Sequence, residues 1–281
     1  MLPSEWNAFF SLVLPVVMRG DLEVVEQHLE SRLHTFAMPS NGKQYEIDDA
    51  ELPMGSVAVV VLEGVLYSWE TYRLEQQLRE IEHNPKLCGV VLWINGPGGM
   101  VTNVDVVSDL LRGYSKPTAT FVAGMMASAH FWIGTSTQRT VMLSRLNEVG
   151  SVGVMLTWMS IKKWLESEGI VLRDIYPNTA DLKNLAVRAL EDSDDDAPTK
   201  EHLERLHLAF AEAVALNLSV KYDPKLPLFR GATFTGEEAL KLGYIDQIGT
   251  LEDAVRWVLG RATANVVNNA FKKQATSKSH I

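Results

Sequence analysis

The sequence has almost no cysteine, no long apolar run and no surplus of positive charge, and each shortage excludes a class of protein. A single cysteine, Cys88, in 281 residues rules out an intrachain disulfide. It opens a hydrophobic strand, where it reads as an inert buried thiol. Lys and Arg number 26 against 35 Asp and Glu, giving a net charge of −9, which argues against nucleic acid or an anionic membrane as the main partner. The apolar run Ala8–Met18 is eleven residues long and carries Ser11 and Pro15, whereas a spanning helix takes roughly 20 residues. No Lys or Arg precedes that run, and no small-x-small cleavage site follows before Arg19. It reads as an amphipathic arm packing on a partner or sister subunit, with peripheral membrane contact as the alternative. The histidines include no His-Glu-x-x-His, and the acidic run Glu191–Asp196 lacks the spaced ligands and glycine of a calcium loop. It reads as the solvated entry to a helix. No metal and no cofactor are expected, and no internal repeat is present.

Residues 1–35 read as two short helices and residues 37–55, with their turn formers and acids, as a linker. From Ser56 onward strands and helices alternate. Strands are expected at Ser56–Leu62, Leu87–Ile94, Thr118–Val122, Thr140–Leu143, Val152–Leu156 and Ile170–Tyr176. Helices are expected at Glu70–His83, Val101–Arg112, Ala127–Gly134, Ile161–Glu168 and from Pro198 to about Tyr222. This is an α/β chain with a largely parallel sheet. It divides into a helical N-terminal arm and linker (1–55), a catalytic domain (56–262) and a flexible C-terminal tail (263–281), where apolar periodicity fades after Gly260.

Three short motifs carry the chemistry. Asn95-Gly-Pro-Gly-Gly99 follows a hydrophobic strand and feeds a helix, so it exposes backbone N–H groups free of side chains where the helix dipole favours negative charge. It lacks the Lys-Ser/Thr ending of a phosphate loop and the spacing of a dinucleotide fingerprint. Ser128, in Met126-Ala-Ser-Ala129, stands at the start of an apolar helix just past a strand, the place of a nucleophile held rigid at the tip of a sheet; a plain helix N-cap is its structural alternative. His130 is two positions on, which on a helix points to a different face, and reads as packing or rim. Lys183, in Asp181-Leu-Lys-Asn184, offers an amine, and Leu182 and Leu185 beside it permit a covered site. A lysine acts as a base only when neutral; from a reference pKa near 10.4, this calls for roughly 4 kcal/mol of differential desolvation, within reach of a buried amine. Oxyanion donors, a hydroxyl and an amine are the parts of a Ser-Lys hydrolase.

The order of Ile94-Asn-Gly-Pro-Gly-Gly99, Ala127-Ser-Ala-His-Phe-Trp-Ile133, Val149-Gly-Ser-Val-Gly-Val154, Leu182-Lys-Asn184 and Phe234-Thr-Gly-Glu-Glu-Ala-Leu-Lys-Leu-Gly-Tyr-Ile-Asp246 resembles the signal peptide peptidase A family of serine peptidases, over about residues 56–260. The resemblance implies the crotonase/Clp-type fold of repeated ββα units and assembly into rings or domes. By position it implies Ser128 as nucleophile and Lys183 as general base. Gly98 and Ala129 would supply the oxyanion-hole N–H groups, and Ser151 would orient the lysine. The chain departs from the family at Gly96, commonly Ser there, and at His130, where a small or aromatic residue is frequent. The run Ala8–Met18 is not expected to serve as the membrane anchor of the cellular enzymes. The expectation is therefore a cytoplasmic, homo-oligomeric, phage-type endopeptidase acting on unfolded or flexible segments, with phage capsid or scaffold proteins as candidate substrates.

Three rivals remain. A caseinolytic Clp-type Ser-His-Asp peptidase fails because no His lies between His130 and His202. An acyl-CoA-binding crotonase-type enzyme usually needs a glutamate on the helix of Ser128, which has none. A catalytically inactive assembly protein of the same fold is opposed only by the presence of both Ser128 and Lys183.

Overall fold

The computed structural model describes residues 34–278; the expected helices before His34 lie outside that range. Its elements are β1 (His34–Met38), β2 (Ser56–Leu66), α1 (Ser68–His83), β3 (Leu87–Gly99), α2 (Val104–Arg112), β4 (Thr118–Ala127), α3 (Ala129–Gly134), β5 (Thr140–Met142) and β6 (Glu148–Gly150). There follow α4 (Lys162–Ser167), α5 (Leu185–Ser193), α6 (Ala197–Asn217), β7 (Thr233–Thr235), α7 (Gly236–Leu242), β8 (Gln247–Ile248) and α8 (Leu251–Lys278). One eight-stranded sheet runs β1-β2-β3-β4-β5-β8, with β6 branching from β4 and β7 pairing β6. Strands β2, β3, β4, β5 and β8 are parallel, as is the β4–β6 pair; β1 and β7 join antiparallel. This is the mixed α/β architecture expected of the Clp/crotonase type.

The central strands are continuous apolar runs because both faces are covered. Alternation along β2 sends Ala58, Val60 and Leu62 to one face, where Leu74 and Leu78 of α1, Val107 of α2, Phe131 of α3 and Phe210 of α6 pack. Val57 and Val59 go to the other, against Ala254, Val255 and Val258 of α8. The helix ends have clear causes. Tyr67 and Glu70 form a capping box on α1, and Lys116 Nζ donates to the carbonyls of Ile81 and Asn84 at its far end (2.8 and 2.7 Å).

Four boundaries differ from the sequence reading. The strands β3 and β4 extend through the glycine motif and to Ala127, because Gly96 pairs with Met126 and Gly98 with Val65, a ladder that apolar periodicity does not reveal. Residues 34–38, at the edge of the expected arm and linker, form a sheet strand paired with β2. The strands expected at 152–156 and 170–176 do not form: neither backbone segment pairs with a strand, and although Val152 and Val154 pack on the core, Val171 and Ile175 are exposed. Beyond Gly260 the chain continues as helix α8 to Lys278.

Candidate active site

Strand β4 ends at Ala127 and α3 begins at Ala129, so Ser128 makes the whole turn between them. It does so at φ 54°, ψ −124°, a backbone conformation that L-residues other than glycine rarely hold and that costs about 1–3 kcal/mol. Its N–H donates to the carbonyl of Gly150 (2.9 Å) and its carbonyl accepts from Trp132 N–H (3.0 Å). The hydroxyl makes no cap bond to the helix, so the N-cap alternative does not describe this serine. The sharp turn leaves the side chain half-buried at the tip of the sheet, while Phe131 and Ile133 anchor the helix behind it in the core.

The glycine turn meets this corner directly. A Cβ built on Gly98 would stand 2.5 Å from Ser128 Cβ and 3.0 Å from both the Ala127 carbonyl oxygen and the Ala129 nitrogen. Only glycine brings a backbone that close, and its φ of +108° is itself a glycine conformation. Asn95 fastens the approach: its Oδ1 accepts the N–H of Met125 on β4 (3.1 Å). Ala129, as the first residue of α3, has an N–H that no carbonyl of its own helix can reach.

On the other side, β6 pairs with β4 so that Gly150 lies opposite Ala127. That register carries Ser151, half-buried at φ 57°, to the flank of Ser128; its N–H is held by the Ala232 carbonyl (2.8 Å). Gly98, the consecutive Ser128 and Ala129, and Ser151, three separate stretches of sequence, are thus brought to one corner by three strand ends. Lys183 makes no hydrogen bond to them among the described residues. It sits in the turn before α5, exposed, with its own N–H on the Ala180 carbonyl (3.1 Å). The apolar cover expected from its neighbours is absent: Leu182 is 74% exposed. The reason is general to residues 155–196, whose side chains lie off the sheet and add nothing to the fully buried core.

His130 packs, as its helical spacing predicts, and it also makes a hydrogen bond that the spacing does not reveal. It is fully buried, and its Nδ1 accepts the N–H of Gly98 at 3.0 Å. The proton therefore resides on Nε2, the tautomer this bond assigns. Burial alone pushes the imidazole down to about 4, so it is neutral at physiological pH. A Cβ on Gly96 would stand 2.5 Å from His130 Cε1 and 2.3 Å from the Gly64 carbonyl oxygen. The absence of a side chain at 96 and the ring at 130 are complementary, a match that the two departures from the family pattern signal only as a pair. Among the described residues no group of His, Cys, Asp and Glu is placed to hold a metal ion.

The model of Peptidase family S49 matches residues 111–265, and that of Clp protease matches residues 53–144. Protease 4 of Salmonella typhi is 25% identical over 217 residues, covering 72% of this chain and 34% of that protein. Capsid assembly protease C of Escherichia phage lambda is 23% identical over 235 residues, covering 77% of this chain and 50% of that protein. The head-tail preconnector protein of Enterobacteria phage P21 is 22% identical over 191 residues, covering 67% of this chain and 38% of that protein. The chain thus spans from about a third to a half of these relatives.

Proposed function

The chain belongs to peptidase family S49, and from that premise we propose that it is a serine endopeptidase with Ser128 as nucleophile and Lys183 as general base. The observation that carries this reading is the strained Ser128 corner, with the Gly98 backbone packed against it and the Ala129 N–H beside it. In this scheme Ser128 Oγ attacks the scissile carbonyl carbon as its proton passes to Lys183 Nζ. Negative charge then develops on the carbonyl oxygen, where the Ala129 N–H, joined by the Gly98 N–H once it turns from His130 Nδ1, stabilises it at the positive end of α3. The carbon–nitrogen bond breaks as Lys183 returns the proton to the leaving amine; water, deprotonated by Lys183, then attacks the acyl carbon, and the Oγ–acyl bond breaks as Lys183 passes that proton to Ser128 Oγ. Ser151 orients the lysine. Because Lys183 is exposed in the single chain, its desolvation has to come from bound substrate or a second copy.

The substrates we propose are unfolded or flexible protein segments, with coat and scaffold proteins of phage heads the candidates that the two phage relatives suggest. Mass spectrometry of such proteins incubated with wild type, Ser128→Ala and Lys183→Arg tests the scheme. Wild type should cleave them. Both variants should be inactive while keeping the wild-type circular dichroism and melting temperature, since a guanidinium cannot give up its proton in a protein. Turnover above a trace by a folded Ser128→Ala chain refutes the nucleophile, and normal activity of Lys183→Arg refutes the base.

A further inference from the structure

We propose that His130 is the positioning residue of the oxyanion turn, its buried Nδ1 holding the Gly98 N–H toward the N-terminal turn of α3, where the Ala129 N–H also lies. The proposal rests on the Ser128 reading above. The β2 ladder holds Gly98 and Gly99 through Val65 and Leu66, but glycine tolerates φ on either side of zero, so the direction of the Gly98 N–H still depends on the acceptor it meets. If the plane flips, the N–H leaves the reacting oxygen and a carbonyl takes its place, turning stabilisation into repulsion. A fixed acceptor behind the turn prevents this, provided that the acceptor itself does not move.

His130 meets that condition. Its ring is 1% exposed, its backbone is the second residue of α3, and the missing side chain at Gly96 leaves space that the ring fills. The bond to Gly98 is 3.0 Å, a normal length for a neutral pair. In the transition state the charged oxygen is a stronger acceptor than a neutral imidazole. In this proposal it draws the Gly98 N–H away from Nδ1 without reversing the peptide plane. The ring does not touch substrate and moves no proton; it acts through the turn. The competing idea, that His130 withholds the donor and slows the enzyme, predicts the opposite sign of effect.

Three variants of the full chain separate these outcomes. His130→Asn places Oδ1 where Nδ1 was, His130→Gln moves the same acceptor one bond too far, and His130→Ala removes it. Hydrogen exchange of the peptide carrying residues 96–99, followed by mass spectrometry, reads the turn directly and needs no activity. Exchange should be fast in His130→Gln and His130→Ala and close to wild type in His130→Asn. With a fluorogenic peptide that wild type cleaves, kcat of His130→Gln should fall about 10- to 100-fold at unchanged KM, less than the roughly 10²–10³-fold that outright loss of an oxyanion donor brings. His130→Asn should recover most of it. Exchange unchanged in His130→Gln overturns the proposal whatever Ser128 does, as does a rise in kcat. If His130→Ala does not fold, the Asn and Gln pair still decides. An active Ser128→Ala chain would refute the nucleophile while leaving the exchange result to judge the turn.

Discussion

A neutral histidine sealed beneath a glycine turn ties the acid stability of this protein to one residue. In the unfolded chain its imidazole titrates near 6.5, and in the folded chain burial holds it to about 4. Between these values the unfolded state binds the extra proton, so folded stability falls as pH drops through that window and the loss levels off below about pH 4. The term amounts to about 2–3 kcal/mol at pH 4.5. Urea unfolding at pH 7 and pH 4.5 checks it. Carboxylates contribute to both chains alike, so wild type should lose that much more than His130→Asn, which cannot titrate. An equal loss would mean that the ring is hydrated or leaves its site.

At the scale of elements, the site is made where β3, β4 and β6 end. Each strand delivers one part: β3 the glycine turn, β4 the Ser128 corner with α3, and β6 the approach to Ser151. The tightest joint is that between β3 and α3, where Gly96 faces the His130 ring. Gly96→Ala is expected to lower the melting temperature and activity together, because the added carbon meets ring carbon at 2.5 Å and Gly64 carbonyl oxygen at 2.3 Å. Combining it with His130→Ala relieves the first clash and leaves the second, so the double variant should be more stable than the sum of the two single losses implies. Strict additivity in a double-mutant cycle would show that the two positions do not press on each other.

For the whole molecule, the described surface between Met155 and Val187 carries apolar side chains that no other described residue covers, among them Trp164 at 61% and Ile175 at 85% exposed. Exposed apolar side chains concentrated in one segment mark an interaction surface when they adjoin. A homo-oligomer is therefore expected, with Lys183 in the segment that becomes covered. Multi-angle light scattering should give a mass that is a multiple of 31.3 kDa; a monomer at working concentration would contradict the expectation. Trp164→Glu should shift the mass downward while leaving the circular dichroism spectrum unchanged. Among the described residues no helix is long and apolar enough to cross a membrane.

The sequence by itself determined the strand–helix alternation, the double-sided burial of the central strands and the positions of the glycine turn and of Ser128. Those depend on local signals: β-branched runs, helical periodicity, and glycines at a strand end. It also placed Lys183 in a polar turn. Only the tertiary structure decided the rest. That β3 and β4 continue past their apolar stretches follows from ladder partners far away in the chain, and that Val152–Leu156 and Ile170–Tyr176 are not strands follows from the lack of such partners. His130 shows the difference most plainly. Helical spacing correctly turns its side chain away from that of Ser128, yet what the ring meets there is Gly96 and the Gly98 N–H, 32 residues back along the chain from the ring itself. No local pattern encodes that contact, because it exists only once β3 and β4 have paired and set the glycine turn over the first turn of α3.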